Sequence, residues 1–494
     1  MQSHYGAHGS KGISMGMDWL LTLAERAKTP AKFDCLKTPT VLGLESFEFS
    51  TFHIVTLLIF ICAIIHTLSV NHIHKWARNL ETYRRPKKNK HGLQRSIGVQ
   101  LLYFLSEVEI VFAFWAIPLF FLIGLRFNFH TALEYFNTRD YTEPLFVVIV
   151  MCLSSTRPII LTAESLLRKI ANSFGGSLSA WWLTLLTLGP LLGSFITEIG
   201  AMALCALLLS RQFYEYRPSS QLSYATLGLL FVNISIGSVL TNFASPAVLI
   251  LAHCWGWNTL FMMSSFGWKA ILGILLSNSV YWFYFRKELR ELNQRKILLS
   301  KIQTPTPEEP TSAVPLWIMF AHVLTLAFVV ITSHYPAIFF GIFLLFLGLH
   351  QATRIHQYPI RLARPLLIGL FLAALVIHGG LQGWWVIELL ERLSPLGVMG
   401  VSILLTAFND NTSISYLATL VPSWGNAFQY AIFTGVVAGG GLTVIGNAPN
   451  PAGFAILGRY FNQGISPIKL FLSAALPTAI LYFIFFLTGP FFGS

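Results

Sequence analysis

The 494-residue chain is 54% hydrophobic and only 11% charged, with a formal net charge of +12 at pH 7. Soluble domains carry roughly 25% charged residues, whereas about 20 consecutive apolar residues suffice for a membrane-spanning helix. The composition therefore excludes an ordinary soluble protein and predicts an all-α, polytopic membrane protein. Alternating segments typical of an outer-membrane barrel are not seen. The basic residues occur in short loops, which excludes a nucleic-acid-binding surface.

The first 50 residues, 1–50, form a separate N-terminal segment whose sequence MGMDWLLTLAERA is typical of a short amphipathic surface helix. The first half of the membrane region follows over residues 51–285. The loop after its first apolar stretch carries eight Lys or Arg residues against one Glu, so the positive-inside rule places it in the cytoplasm. The predicted membrane crossings of this half lie near 51–72, 98–126, 144–168, 222–252 and 257–285.

The apolar stretch 179–212 is interrupted near its centre by Thr197, Glu198 and two glycines, and basic residues flank both of its ends. If this stretch crossed the membrane, one basic end would face the wrong side. A re-entrant hairpin removes the conflict, since irregular backbone at membrane depth is tolerated where it is buried or lines a cavity. Residues 286–314 then form a basic cytoplasmic loop and a Pro-rich linker.

The second half, residues 315–494, repeats the order of the first, with a broken hairpin at 396–423 around Asp410. Five crossings and one hairpin in each half make the halves inverted in the membrane. The sequence therefore predicts two inverted repeats with unwound helices at the midplane. Pro144 and Pro365 open corresponding spans, and 13 residues after each comes a basic side chain, Arg157 or His378. The predicted crossings are 315–333, 336–350, 365–390, 427–457 and 467–491.

The two acidic residues at the broken hairpins, Glu198 and Asp410, are the strongest functional candidates. A carboxylate at membrane depth costs about 3 kcal/mol or more, and each acid is followed by an apolar segment interrupted by Gly, Thr, Asn or Pro. Such a carboxylate can exchange a proton for a cation that takes oxygen ligands. The other candidate ligands for the ion and the proton are Thr197, Ser238, Thr241, Asn242, Asn409, Asn411, Thr412, Ser413, Thr443 and Asn447.

Two basic residues, Arg157 and His378, are expected either to tune the proton affinity of the acids or to bind substrate. A structural alternative stays open, in which each acid only pairs with one of these residues to hold helices together. Asn and Thr at the hairpin tips can likewise serve only to satisfy broken backbone groups. Glu107 and Glu109 are candidate proton relays. Because they are two residues apart in one predicted helix, we expect them to face different ways.

The sequence contains no P-loop and no catalytic motif of the common hydrolases or metalloproteases. We therefore expect neither an enzyme nor a cofactor, and the missing P-loop argues against transport driven by ATP within this chain. The five cysteines show no paired spacing. Those in apolar segments are interpreted as small packing residues.

The segment NDNTSISYLATLVP, followed by GVVAGGGLTVIGNAPNPAGFAIL, resembles the ion-transporter superfamily. That superfamily includes sodium/proton antiporters, arsenite permeases and divalent anion/sodium symporters. In the symporters a Ser-Asn-Thr hairpin tip precedes an unwound Gly-Thr-Pro-Pro-Asn element, and here the tip is Asp410-Asn411-Thr412. Over residues 51–491 the order of elements is most similar to the bacterial sodium/proton antiporters. The resemblance is looser in the first half, where the tip reads Thr197-Glu198-Ile199.

The resemblance implies a multi-pass protein of the bacterial inner membrane that exchanges Na⁺ for H⁺ and forms a homodimer. Na⁺ would bind at the Asp410 and Glu198 clusters, and the partners would be the lipid bilayer, small cations and protons. Two buried acids would repel a dicarboxylate, which favours cation exchange. Two alternatives stay open: an anion or oxyanion carrier in which Arg157 binds substrate, and a membrane scaffold or sensor that transports nothing.

Overall fold

The computed structural model describes residues 51–83, 97–302, 314–333, 335–360, 362–382, 384–385, 392–421, 424–461 and 464–491. Throughout these residues the chain is helical and contains no strand, which confirms the predicted all-α class. The predictions made for the N-terminal segment, for most of the first basic loop and for the Pro-rich linker fall outside the described residues.

The first half of the chain forms helices of very different lengths, because several apolar stretches are interrupted. In chain order they are α1 (Thr51–Tyr83), α2 (Ile97–Leu105), α3 (Val108–Arg126), α4 (Phe129–Asn137), α5 (Thr142–Ser154), α6 (Arg157–Ser173), α7 (Leu178–Ile196), α8 (Glu198–Gln212), α9 (Ser220–Gly237), α10 (Pro246–Cys254), α11 (Thr259–Met262) and α12 (Trp268–Ile302).

The second half ends on a long apolar helix and is also interrupted around its acidic residue. Its helices are α13 (Leu316–Ile331), α14 (Pro336–Ala352), α15 (Ala363–Gly379), α16 (Pro395–Phe408), α17 (Asn411–Thr419), α18 (Asn426–Gly439), α19 (Asn450–Leu457) and α20 (Pro467–Thr488).

Helix length and composition make the chain a multi-pass membrane protein. Within the described residues, five helices are long and apolar enough to cross a membrane, or up to seven if each bent pair is one span. Four further apolar helices have 10–17 residues. The predicted ten crossings and two re-entrant hairpins are not decided by these lengths.

Two of the predicted spans are interrupted at places where the sequence analysis predicted no break. The span 98–126 is broken between α2 and α3, and the span 144–168 bends by 63° between α5 and α6. The bend has a local cause, since Pro158 is the second residue of α6. Proline has no backbone N–H to donate, and its ring disfavours helical geometry in the residue before it. Helix α4 was not predicted.

Helix α9 lies at the centre of the molecule. Every residue from Leu222 to Leu240 is buried, and the helix packs against α7, α12, α18 and α20. Its sequence explains this position, because a helix that is apolar on every side is shielded from water on all sides only inside a protein or a membrane. The α9 helix therefore connects elements of both halves.

A buried polar contact ties α7 to α9 and α12. Pro190 lies inside α7, so the carbonyl of Leu186 has no N–H four residues later to accept from. Asn233 Nδ2 donates to that carbonyl at 2.9 Å and Asn278 Nδ2 at 3.0 Å. The two asparagines also bond to each other at 2.9 Å. The helix break is thus compensated by amides from two neighbouring helices.

The two ends of the α7–α8 pair lie close together. Lys296, near the end of α12, donates to the carbonyl of Gly176 at 3.3 Å and to Gln212 Oε1 at 3.4 Å. Gly176 precedes α7 and Gln212 ends α8. Helices of one half also pack against those of the other, since α8 contacts α19 and α17 contacts α10.

The cysteines are only partly as interpreted. Cys152 and Cys205 are buried free thiols and Cys62 is a half-buried one. Cys254, at the end of α10, is disulfide-bonded, so its interpretation as a packing residue is wrong.

Candidate ion-binding site

A single residue, Thr197, separates α7 from α8 and places Glu198 at the first position of α8. Thr197 has φ of 65°, a region that costs a residue with a side chain about 1–3 kcal/mol and is found mainly at functional sites. Its Oγ1 accepts from the N–H of Gly200 at 3.4 Å and lies 3.3 Å from Ser154 Oγ. The strained turn is thus held by one capping bond to α8 and by a hydroxyl contact to α5.

The side chain of Glu198 is enclosed, with 2% of the residue exposed. Ser238 Oγ donates to Glu198 Oε1. Within the described structure, the other oxygen, Oε2, has no hydrogen-bond partner, although Ser245 and Asn447 lie beside the carboxylate. The N-terminus of a helix carries a partial positive charge, which stabilises an anion at this position.

Asp410 lies just before α17 and caps that helix. Its Oδ2 accepts from the N–H of Thr412 at 2.9 Å, and its own N–H donates to Asn409 Oδ1 at 2.9 Å. Asp410 is 8% exposed. Both acids therefore lie at the N-termini of helices that begin inside the protein.

A helix that stops and restarts lies opposite each acid. The α9 helix ends at Gly237, continues as a 3₁₀ turn and restarts only at Pro246. The α18 helix ends at Gly439, and regular helix resumes at Asn450, directly after Pro449. Proline suits the first positions of a helix because those N–H groups have no acceptor within it.

In each half, one threonine hydroxyl joins the broken helix to the helix that precedes the acid. Thr241 Oγ1 donates to the carbonyl of Ser194 at 2.7 Å. In the same way, Thr443 Oγ1 donates to the carbonyl of Ala407 at 2.8 Å. Each threonine follows directly after a leucine at the broken end of its helix, so Leu-Thr at 240–241 and 442–443 is the shared sequence signal.

A second pair of bonds repeats in the same register. The N–H of Glu198 donates to the carbonyl of Ala244 at 3.3 Å, and the N–H of Asn411 donates to the carbonyl of Gly446 at 3.1 Å. Each acceptor lies three residues after the threonine of its broken helix. The same two hydrogen bonds therefore connect the backbone around Glu198 and the backbone around Asp410.

This shared register offsets the two acids by one residue. Thr197 and Asp410 both cap a helix, while Glu198 and Asn411 are both the first residue of one. The sequence analysis treated the two acids as equivalent partners. In the structure each acid corresponds to a neutral polar residue in the other half.

Buried polar atoms without a hydrogen-bond partner in the described structure occur around both acids. Besides Glu198 Oε2 they include Thr406 Oγ1, Asn411 Nδ2, Ser413 Oγ, Asn447 Nδ2 and Asn450 Oδ1. Polar groups buried in this way are rare and point to a functional role. Gly440 marks where they converge, since a Cβ there would collide with Ser235 Oγ and would lie 3.2 Å from Asn411 Nδ2 and 3.4 Å from Asn447 Cβ.

Asp410 lines a cavity of about 180 Å³, whereas Glu198 lines a pocket of about 10 Å³. Asn447 lines the larger cavity and also lies beside Glu198, so it connects the two acids. The other polar residues that line the larger cavity are Thr67, Ser106, Glu107, Glu109, Arg364, Asn409 and Thr412.

Glu107 and Glu109 both border the Asp410 cavity, but Glu107 is exposed whereas the side chain of Glu109 is only 15% exposed, so their facing different ways stays a prediction. On a continuous helix, residues two apart are separated by about 200°. Here the helix is broken, and Glu107 has the extended conformation of an N-cap, with φ −88° and ψ 116°. Glu109 forms an ion pair with Arg364 at 3.2 Å.

Three residues that were predicted to belong to the ion site make their described contacts with residues outside it. Arg157 donates to the carbonyl of His356 at 3.1 Å and lies over the ring of Tyr358. His378 is completely buried against aromatic rings, and its Nε2 lies 3.0 Å from the carbonyl of Phe112. Asn242 Oδ1 accepts from Thr259 Oγ1 at 2.8 Å.

The sequence analysis missed residues that organise the site. Ser194 Oγ donates to the carbonyl of Gly237 at 2.8 Å and accepts from the N–H of Leu240 at 3.0 Å, which fixes the turn after α9. Ser235 Oγ donates to the carbonyl of Val437 at 2.8 Å and so joins α9 to α18. The small residues around Ser194 at the hairpin were a usable signal, but nothing in the sequence distinguishes Ser235.

The sequence from residue 51 to residue 488 matches the family described as "Putative Na+/H+ antiporter". The chain belongs to this family. Membership supports a cation/proton transporter rather than an enzyme, and it agrees with a multi-pass membrane protein. No curated protein matches the chain.

Proposed function

We propose that this antiporter-family protein is a secondary transporter that exchanges Na⁺ for H⁺ across the bacterial inner membrane. The observation that carries the proposal is the bond register repeated between each broken helix and the segment before each acid. Each occurrence brings a carboxylate to a helix N-terminus inside the protein. Interrupted helices that meet in this way build the midplane ion sites of many secondary transporters.

In this proposal residues 51–285 and 315–494 are two inverted repeats, joined by the segment 286–314. Two sets of contacts support it: the repeated bonds, and the reciprocal packing of α8 on α19 and of α17 on α10. The contacts of Lys296 with both ends of the α7–α8 pair support a re-entrant hairpin there. The α16–α17 pair would be its counterpart.

Asp410 would be the carboxylate that an incoming Na⁺ meets first, because it lines the larger cavity. Asn409, Thr412 and Asn447 would supply further oxygens. Glu198 would hold a proton or balance charge, with Ser238 and Thr197 beside it. Thr241 and Thr443 would fix the backbone, and Asn411 and Ser413 would complete the polar region between the acids. No cofactor takes part, and the transported ions are Na⁺ and H⁺.

The larger cavity would open to the cytoplasm. It is lined by residues at the start of α15, which follows a basic segment of the sequence, and by residues at the start of α3, which the short helix α2 separates from the first basic loop. Cys254 ends the broken helix α9–α10, whose other end lies next to Arg217. A disulfide at Cys254 supports an oxidising compartment on that opposite side.

We also propose that the protein belongs to the ion-transporter superfamily and forms a homodimer in the lipid bilayer. The superfamily's anion and oxyanion carriers give the alternative function. We prefer cation exchange, because three acidic residues and only one basic residue line the cavity described here. Arg157 is not among its lining residues.

The test uses purified full-length protein in proteoliposomes that contain a pH-sensitive dye. Added Na⁺ or Li⁺ should drive proton movement, and Asp410→Asn or Glu198→Gln should abolish it. Asp140→Asn is the matched control, because Asp140 also accepts from the N–H two residues later, at 2.9 Å, but is exposed. Absence of any cation-driven proton movement would rule out the antiporter.

The same vesicles distinguish the alternatives. Uptake of labelled succinate or movement of arsenite without cation-driven proton flux would favour the anion carrier. No flux of any tested ion would favour a scaffold or sensor.

A further inference from the structure

The Asp410 cavity contains an ion pair that the proposed exchange of Na⁺ for H⁺ does not itself require. Glu109, on the first turn of α3, lies 3.2 Å from Arg364 at the start of α15. The side chain of Glu109 is 15% exposed and that of Arg364 is 47% exposed. The pair therefore lies between the enclosed part of the cavity and its more open side.

The charges that line this cavity are unevenly balanced. Among the described residues, its ionisable lining consists of Glu107, Glu109, Asp410 and Arg364. Glu109 lies close enough to Asp410 for their charges to interact. Arg364 thus offsets one of three carboxylates, and without it the cavity would have three carboxylates and no fixed positive charge.

The number of carboxylates strongly affects the valence of the cation that a site prefers. Attraction between an ion and a site grows with the product of their charges, and the affinity of Ca²⁺ sites follows the charge of their ligands. A guanidinium cannot be deprotonated in a protein, so the positive charge of Arg364 always neutralises one carboxylate. Neutralising one of three carboxylates therefore weakens the binding of a divalent ion more than that of a monovalent one.

A second observation concerns Asn447, which lines the same cavity and is 2% exposed. Its buried Nδ2 atom is a hydrogen-bond donor and lies on the side of the Glu198 carboxylate. With the nitrogen directed to that carboxylate, the side-chain oxygen of Asn447 is the atom available to a cation in the cavity.

We propose that Arg364 acts as a tethered internal cation, which neutralises Glu109 and so lowers the preference of the cavity for divalent over monovalent cations. The inference rests on the proposed cation transport and names the residue that determines its selectivity. Glu107 and Asp410 stay available to either ion, while Glu109, the carboxylate whose charge interacts with that of Asp410, is no longer available as a third ligand for Ca²⁺.

The experiment measures equilibrium binding of ⁴⁵Ca²⁺ and ²²Na⁺ to the purified full-length protein, alongside proton flux in proteoliposomes. Arg364→Gln should raise the affinity for Ca²⁺ relative to Na⁺ by roughly tenfold or more, because it uncovers one carboxylate. Arg364→Lys keeps the charge and should keep the wild-type ratio. Arg168→Gln is the matched control, since Arg168 pairs with Glu164 at 2.8 Å on α6.

The double variant Glu109→Gln/Arg364→Gln separates charge from structure. It removes both partners, restores the original net charge of the cavity and should return the Ca²⁺/Na⁺ ratio to the wild-type range. Glu109→Gln alone leaves Arg364 uncompensated and should weaken the binding of both ions. This single variant also tests the inference if Arg364→Gln does not fold.

An unchanged Ca²⁺/Na⁺ ratio in Arg364→Gln would overturn the inference, as would a double variant that behaves like Arg364→Gln. These outcomes are independent of transport. If the wild-type protein binds Na⁺ but moves no protons, the proposed function fails and the binding ratio still decides the role of Arg364.

Discussion

The regions around Glu198 and Asp410 are built alike but border cavities of very different size. In each, a threonine of a broken helix donates to a carbonyl that lies three residues before a helix cap. Yet Asp410 lines a cavity of about 180 Å³ and Glu198 a pocket of about 10 Å³. The same backbone connections thus support one carboxylate with room for an ion beside it and one carboxylate with almost none.

The one-residue offset between the acids adds a second difference. Asp410 uses one oxygen to cap α17, whereas Glu198 lies one position further along and receives a hydroxyl from Ser238. The N-cap of the helix that begins at Glu198 is Thr197. The two acids therefore need not have equal roles, even if the halves are repeats.

The largest expected effect separates the two acids by cation binding. Asp410→Asn should lower Na⁺ affinity by about 100-fold or more, because it removes the buried charge that faces the cavity. Glu198→Gln should lower it by less than about tenfold, since that carboxylate is enclosed and Asn447 still lines the cavity. Equilibrium binding of ²²Na⁺ to purified protein measures both. Equal losses in the two variants would contradict the difference in access.

Chemical accessibility provides a second test of the same comparison. In a background without the free thiols Cys62, Cys152 and Cys205, Asn409→Cys should react with a small thiol reagent at least about tenfold faster than Ser245→Cys. Asn409 lines the larger cavity and Ser245 the small pocket. Mass spectrometry of the labelled protein gives the two rates. Similar rates would show that both acids are equally accessible.

The two threonines test whether the halves are connected alike. Thr241→Ala and Thr443→Ala each leave a buried carbonyl without its hydroxyl donor, which should cost about 1–3 kcal/mol of stability. Thermal unfolding in detergent should show similar shifts for the two variants. Thr162→Ala is the control, because its hydroxyl donates within α6, to the carbonyl of Pro158 at 2.7 Å. A large shift in only one of the two threonine variants would argue against a shared register.

The smallest effect is expected at Asn242, which the sequence analysis proposed as an ion ligand. Its side-chain oxygen is bonded to Thr259, so Asn242→Ala should change the apparent Na⁺ affinity by less than about twofold. Sodium-dependent proton flux across a range of Na⁺ concentrations measures this. A loss of Na⁺ affinity comparable to that of Asp410→Asn would instead support Asn242 as an ion ligand.

The sequence predicted the features that depend on composition and chain breakers. Apolar runs indicated helices, and the interruptions at Thr197 and Asp410 indicated where helices restart. Both acids do lie at such starts. Their roles in binding stay predictions. The bend before Pro158 could also have been read from the sequence, because proline disfavours helix in the residue before it.

Other features depend on contacts that no local pattern reveals. The break at Ser106–Glu107 contains neither proline nor glycine, so a continuous helix through Glu107 and Glu109 was the natural prediction. The described contacts of Arg157 and His378 are with residues far away in sequence. Their equal spacing from Pro144 and Pro365 could not show which neighbours they would meet.

The carbonyl of Leu186 also has a consequence for how the protein is made. Of its two amide donors, Asn278 lies 92 residues later in the chain. A backbone group left unsatisfied in hydrocarbon costs several kcal/mol, so the carbonyl needs Asn233 of α9 at the earliest, and it receives its second donor only after α12 has been synthesised. The break in α7 is therefore compensated in two stages during translation, both by helices that leave the ribosome after it.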